Sequence, residues 1–429
     1  MTEPRTPPPP TELLLSTPDA IPRLPVLGWQ SFVGRAPLPD DSLLAAPNFA
    51  FTTSGRAAIW LALRALGVGT GDRVLVPTYH CPTMVAPAIH AGAEPAFYPV
   101  TSAGVDMQYL AKLDCRGVKA LLVAHFFGRP APMAQLREFC DANGIALIED
   151  CAHALFGMTD GKPVGAWGDF AIGSFTKFLP VPEAGCLASW RRSVTPGLAR
   201  QTLRAELKCS VDLLEVGARY GRLPGLNTVL LKLFALKNAI RHPPGAETAP
   251  APADYTDGHG DLDTDYASSS PTRVTRLVAK ATGWRRVRER RRANYAALVR
   301  ALDGVPGLRV LYPELTESGV PYVLPVWVTD PDAKYLALRG AGCPVFRWDW
   351  LWPGTPLVSG DEGIAWSRHV FQLPCHQDLT AQDTEWLIAT VRRVLSSSSA
   401  VRVAVSTVPR RDGERATAAH QEARSVDAP

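Results

Sequence analysis

Three short segments carry residue types that together could do carbonyl chemistry. Lys177 follows the apolar stretch DFAIGSF and sits among Phe175, Phe178 and Leu179. Apolar surroundings disfavour an ammonium and free the amine as a nucleophile, whereas a loop lysine that simply reaches solvent does neither. Asp150 ends the apolar run ALIED, at the carboxyl end of an expected strand. Ligands of open α/β sheets bind at such ends, and a carboxylate there needs a cation, hydrogen-bond donors or a turn to cap. The pair Ser54-Gly55 opens GRAAIWLALRALG, an expected helix. Its first turn offers backbone N–H groups and a positive dipole end to an anion, beyond the ordinary N-cap role of a serine.

Singly, each segment has a plain structural reading. Jointly they supply an amine, an acid and an anion cradle. Pyridoxal 5′-phosphate asks for that set: a lysine for its aldehyde, an acidic partner for its ring nitrogen and a cradle for its phosphate. Lysine is also scarce, nine of the 45 basic residues, so a lysine in an apolar stretch stands out.

The elements around these residues follow from periodicity. Short apolar runs at Arg73–Pro77, Glu94–Val100, Lys119–Phe126, Ala146–Cys151, Asp169–Phe175 and Ala184–Trp190 read as strands. Between them lie segments with apolar residues three and four apart, which predicts an α/β fold with a mostly parallel central sheet. The expected organisation is a proline-rich N-terminal arm over 1–47 and a large α/β domain over 48–242. A loop over 243–271, a smaller α+β domain over 272–395 and a disordered tail over 396–429 follow. The basic run WRRVRERRRANYAALVRAL reads as a helix with a solvated or intersubunit face, because no aromatic platform for nucleic acid is interleaved. In RWDWLWPG, Arg347, Trp348, Trp350 and Trp352 are suited to clamp an anion or a ring, or else form a packed aromatic edge. A net charge of +4 does not make nucleic acid the default partner. No apolar run reaches the length of a membrane span, and the eight cysteines form no CxxC pair, which points to a soluble chain in the reducing cytoplasm.

The ordered segments SGRAAIWLALRALGVGTGDRVLVPTYHCPTMVAPAIHAGAEPAFYPV, VAHFFGRPAPM, IEDCAHALFG, GDFAIGSFTKFLP and LPCHQDLTAQDTEWL resemble those of the DegT/DnrJ/StrS sugar aminotransferases. The resemblance covers about 48–395 and implies a fold-type-I enzyme of pyridoxal 5′-phosphate. It implies Lys177 as the Schiff-base lysine and Asp150 as the partner of the pyridine nitrogen. Gly55, Arg56, Ala57 and Ser174 take the place of the phosphate ligands. His153 stands where the family carries a glutamine near the phenolic oxygen. The ring-stacking residue comes from Tyr79, His80 and Cys81; chemistry favours Tyr79 and His80, while alignment falls on Cys81. Arg347 and Trp348 are candidate substrate contacts, and no metal is implied.

The sequence departs from the family in four places. Ser174 precedes Lys177 by three residues where about five are usual, LPVPEAG replaces a glycine-rich stretch, DTDYASSSPTRVTRL lacks the usual asparagine segment, and CPVFRWDWLWPG stands where the family has a histidine-rich motif near the sugar. The implied function is transfer of an amino group from a donor such as glutamate to a keto or aldehyde acceptor, a keto sugar or a cyclitol-like compound, by a homodimer. The rivals are a non-catalytic sensor or scaffold that binds the cofactor, a sugar dehydratase, whose family members replace the lysine by histidine, and a membrane-peripheral protein using the segment near Leu226–His242.

Overall fold

The computed structural model describes residues 19–34, 37–102, 104–241 and 262–397, which fall within one compact unit. Seven strands form the main sheet: β1 (Asn48–Thr52), β2 (Arg73–Pro77), β3 (Glu94–Tyr98), β4 (Val118–Ala124), β5 (Ala146–Asp150), β6 (Phe170–Ser174) and β7 (Gly185–Ser189). Their order across the sheet is β1-β7-β6-β5-β4-β2-β3. Strand β7 runs antiparallel to both neighbours, and the other neighbouring pairs are parallel. The six runs read as strands are strands: Arg73–Pro77 has the bounds read, the Lys119–Phe126 run forms Val118–Ala124, and the other four are shortened at one end or both. The parallel ones are apolar along their length because helices cover both faces.

Helix α1 (Gly55–Ala65) starts where the Ser54 hydroxyl accepts the Ala57 N–H at 3.1 Å. Every residue from Ala57 to Leu63 is buried, so α1 is a core element pressed against β6, β7 and helix α2 (Pro82–His90). Helix α3 (Ala134–Asn143) leads into β5 and ends on Gly144 at φ 66°, the left-handed cap that only glycine adopts at little cost. Because β2, β4, β5 and β6 are parallel, the segments after them gather on one rim. These are Thr78–Cys81, His125–Gly128, Cys151–His153 and Phe175–Lys177.

Beyond β7 come helices α4 (Leu203–Arg219), α5 (Asn227–Arg241), α6 (Arg273–Ala281) and α7 (Trp284–Leu302). A second, antiparallel sheet has the order β8 (Leu308–Val310), β9 (Val323–Val328), β10 (Val370–Pro374). Helices α7, α8 (Pro331–Gly340) and α10 (Ala381–Ser396) close its core through residues such as Leu298, Leu338 and Leu387. Helix α9 (Gly363–His369) feeds β10. β10 and β1 are strands that periodicity did not single out.

The arm expected over 1–47 is described from Asp19, and there it does not merely drape the surface. Ile21 enters the core of the second sheet, Val26 and Leu27 are buried, and His376 donates to the Pro22 carbonyl at 2.9 Å. Of the loop expected over 243–271, residues up to 261 lie outside the described residues. Asp263 then caps a short helix, Thr264–Ala267. The tail beyond 397 also lies outside them. Among the described residues no helix is long and apolar enough to cross a membrane.

Candidate active site

The rim at the carboxyl ends of β2, β4, β5 and β6 brings most of the sequence-derived site residues together. Gly55 sets the position of the α1 start. A Cβ built on it would lie 3.4 Å from Ser174 Cβ, so Ser174 sits directly against the first turn of α1. Gly185 is held as tightly, since a Cβ there would come within 2.5 Å of the Gly173 carbonyl oxygen and 2.6 Å of the Gly55 nitrogen. A serine hydroxyl, the start of an eleven-residue helix and the turn after β6 therefore converge on one point, the arrangement that suits a phosphate.

Asp150 ends β5, buried, with one carboxylate oxygen accepting the Ala152 N–H at 2.8 Å. Burial pushes its carboxyl above the usual range, and the charge of nearby Lys177 pulls against that shift. Glu149, one residue earlier, faces away into a dense set of donors. It accepts from the backbone N–H groups of Gly165, Trp167 and Gly168 at 2.6–2.9 Å and from His125 Nε2 at 3.0 Å. His125 Nδ1 in turn accepts the Ala131 N–H. His125, Glu149 and Cys151 lie close enough to suggest a metal cluster. Those hydrogen bonds already use both imidazole nitrogens and both carboxylate oxygens, so the group works as a brace under Asp150.

His153 has the most telling side chain. Its Nδ1 accepts the Phe127 N–H at 3.2 Å, which leaves the proton on Nε2. That Nε2–H is buried without a hydrogen-bond partner among the described residues. An unmet buried donor is costly, so the position is built for an acceptor. Burial first, and the Lys177 charge second, hold the imidazole well below its ordinary value, and it stays neutral. The ring stacks on Tyr322 at 4.4 Å and lies 5.2 Å from Trp348. The Lys177 amine stands 5.5 Å over the same Tyr322 ring.

Lys177 is placed from behind. It sits in a single 3₁₀ turn, Phe175–Lys177, and its carbonyl accepts a hydrogen bond from Arg291 at 2.7 Å. Arg291 is fully buried and also bonds the Pro321 and Tyr322 carbonyls and the Gln377 side chain, with its guanidinium 4.4 Å over Phe178. Gln377 donates in turn to the Phe178 carbonyl at 2.8 Å. Thus the segment LPCHQDL and helix α7 together fix the lysine turn. Arg291 escaped the sequence reading because it lies in a run of arginines. The signal was its spacing from Val287, Tyr295 and Leu298, which puts it on the buried face of α7.

Tyr79 and His80 also lie on the rim, with different surroundings. Tyr79 is fully buried, its ring 4.8 Å from Trp348 and its hydroxyl 3.4 Å from Gln372. His80 uses both ring nitrogens within the fold, on the Pro77 carbonyl and the Trp352 N–H. Cys81 caps the start of α2, its thiol 2.8 Å from the Thr83 hydroxyl. Trp348 joins the site cluster, but Arg347 does not: its guanidinium is paired with Asp332 and Asp349 and packed over Tyr335.

Comparison with known proteins bears on the family and the fold. Residues 43–190 match the DegT/DnrJ/EryC1/StrS aminotransferase family, which bears out the resemblance over the stretch holding α1, Asp150 and Lys177. The chain is 31% identical over 170 residues to GDP-perosamine synthase of Vibrio cholerae, 38% of this chain and 46% of that one. It is 33% identical over 168 residues to L-glutamine:2-deoxy-scyllo-inosose aminotransferase of Streptomyces kanamyceticus, 37% of this chain and 38% of that one. The matches thus span less than half the length of these relatives. The fold extends further. The solved structure of S. venezuelae DesV in complex with a ketimine intermediate superposes with a TM-score of 0.56 at 21% identity, covering 87% of this chain and 91% of that one. The α/β fold expected from the sequence, with a mixed, mostly parallel sheet and a smaller α+β part, is the fold observed.

Proposed function

We propose that the protein is an aminotransferase of pyridoxal 5′-phosphate that passes an amino group from a donor such as glutamate to a keto sugar or keto-cyclitol. The single observation that carries this reading is the buried, unmet His153 Nε2–H beside Lys177 and Asp150. A phenolic oxygen is the acceptor it lacks, and a pyridinium N–H is a donor that suits a buried carboxyl such as Asp150.

The cofactor, when bound, supplies an aldehyde for amine exchange and a ring that takes up the electron pair released at the donor α-carbon. Gly55, Arg56, Ala57 and Ser174 hold its phosphate through the first turn of α1 and the end of β6. Asp150 keeps the ring nitrogen protonated. His153 donates Nε2–H to the phenolic oxygen. Tyr79, from the β2 end, and Trp348 wall the ring and exclude water. Lys177 would hold the aldehyde, and its amine would move a proton between the donor α-carbon and the cofactor C4′. The two half-reactions share one site, so the kinetics are ping-pong.

The chain acts as a homodimer. Val229, Leu233 and Leu236 are exposed at three- and four-residue spacing along one side of α5, the stripe that a helix of a second copy would cover. The eight cysteines form no disulfide, which fits a cytoplasmic setting.

The test is direct. Purified protein incubated with pyridoxal 5′-phosphate and glutamate releases one equivalent of 2-oxoglutarate per site without an acceptor. Absence of that release overturns the proposal.

A further inference from the structure

Behind the lysine turn lies a cavity of about 440 Å³ that no rim residue lines. Gln377 is where the two places meet. It lines the cavity, while its side chain donates to the Phe178 carbonyl at 2.8 Å and accepts from Arg291, which holds the Lys177 carbonyl. The cavity walls are close-packed backbone. A Cβ on Gly28 would stand 2.7 Å from the Arg222 carbonyl oxygen, and one on Gly34, at φ 76°, would lie 3.4 Å from the Arg286 Cβ. The Trp29 indole N–H pins the same loop by donating to the Pro224 carbonyl at 3.1 Å. The volume is thus built into the fold, and it falls in the range of small-molecule sites, about 300–1,000 Å³.

Charge gives this cavity its sign. Arg222, Arg285, Arg286 and Arg290 line it against two acids, Glu289 and Asp378. Two of the arginines are committed: Arg286 pairs with buried Asp378 at 2.8 Å and bonds the Gln377 carbonyl at 3.0 Å, and Arg222 pairs with Asp383. Among the described residues the other two are lightly used. Arg290 gives one bond, at 3.3 Å, to the Leu379 carbonyl, and Arg285 approaches Glu289 only to 4.0 Å. A guanidinium carries five N–H donors in a fixed fork that matches two oxygens of a phosphate. Arg285 and Arg290 are five residues apart on α7, about 7.5 Å along its axis, which suits an anion with two charged centres. Both stand in the first two turns of that helix, where its dipole adds to the attraction.

We propose that this cavity is an effector site for a compact diphosphate, gripped by Arg285 and Arg290 above a floor that Arg222 and Arg286 shape. Its occupant is neither donor nor acceptor, because the cavity shares no residue with the rim. The proposal therefore stands apart from the aminotransferase reading.

Calorimetric titration of the full chain with inorganic pyrophosphate tests it, with pyridoxal 5′-phosphate present to fill the cradle at α1. The wild type binds one pyrophosphate per chain. Arg285→Ala and Arg290→Ala each weaken binding about tenfold, or about 1.4 kcal/mol. Both side chains are exposed, so the thermal midpoint of each variant stays at the wild-type value. Arg300→Ala, an exposed arginine in the last turn of the same helix, binds as the wild type does. Inorganic phosphate binds at least about tenfold more weakly than pyrophosphate. No binding by the wild type, or wild-type affinity in both cavity variants, overturns the site. An equal loss in Arg300→Ala shows a general field in place of a site and overturns it too. Equal affinity for phosphate overturns the two-centre ligand. Release of 2-oxoglutarate from glutamate is read separately, so the aminotransferase reading can fail while this site stands, and the reverse.

Discussion

At the scale of single residues, the account turns on hydrogen bonds that are made and one that is waiting. Arg291 satisfies the Lys177, Pro321 and Tyr322 carbonyls and the Gln377 amide at once. Arg291→Ala leaves those acceptors buried and unmet and opens a cavity. The expected cost is about 3–5 kcal/mol of stability, read as a fall in the urea midpoint. Arg291→Lys keeps a charge but cannot span all four acceptors, and it recovers only part of the loss. His153→Phe removes the Nε2–H donor while keeping an aromatic ring against Tyr322. It weakens cofactor binding about tenfold, on the scale of one hydrogen bond, whereas His153→Gln, which still donates, stays nearer the wild type. Both effects are measured by titrating the cofactor into the purified variants. Lys177 and Asp150 were legible in the sequence because each ends an apolar run. Arg291 and Glu149 were not, because their work is to bond backbone groups distant in sequence, and composition carries no trace of such partners.

At the scale of elements, the shortened link between β6 and the lysine shapes the site. A single 3₁₀ turn spans Ser174 to Lys177, and the segment back to β7 passes through Ala184 at φ 123°. That region suits glycine, and a non-glycine residue in it costs about 1–3 kcal/mol. Ala184 holds the conformation because its N–H bonds the Thr53 carbonyl and its carbonyl accepts from Phe175. Ala184→Gly is therefore expected to raise the stability by about 1 kcal/mol, less the burial of one methyl group, visible as a higher thermal midpoint. The strands of the main sheet were readable because burial on both faces leaves an unbroken apolar run. β1 was not, since its burial is only partial and its sequence NFAFT merges into the turn before α1. The seven-strand order and the reversal at β7 are pairings between distant segments, which periodicity cannot express.

At the scale of the whole molecule, buried histidines set the response to acid. Burial lowers His80 to about 4 and His376 to about 3, and His153 also lies well below its ordinary 6.5. The unfolded chain takes up protons first as the pH falls. Stability is thus full above about pH 6.5 and is lost downward towards the folded values, at about 1.4 kcal/mol per pH unit for each histidine. The carboxyls of Asp150, Asp349 and Asp378, raised by burial, bind protons earlier in the folded chain and temper the loss at the acid end. Urea midpoints at pH 7.5, 6 and 5 are expected to fall in that order, with a shallower fall in His80→Gln. Assembly is tested on α5. Leu233→Glu with Leu236→Glu places carboxylates on the exposed stripe and is expected to convert a dimer to a monomer in sedimentation velocity. An unchanged dimer places the interface elsewhere.

The central claim is that Lys177 carries the cofactor, and one measurement reaches it directly. The wild-type protein is loaded with pyridoxal 5′-phosphate, reduced with borohydride, digested, and its peptides mapped by mass spectrometry. The account predicts a single phosphopyridoxyl adduct on the peptide containing Phe175–Phe178, at Lys177, and none in Lys177→Ala. An adduct on another of the nine lysines, or no adduct at all, contradicts it.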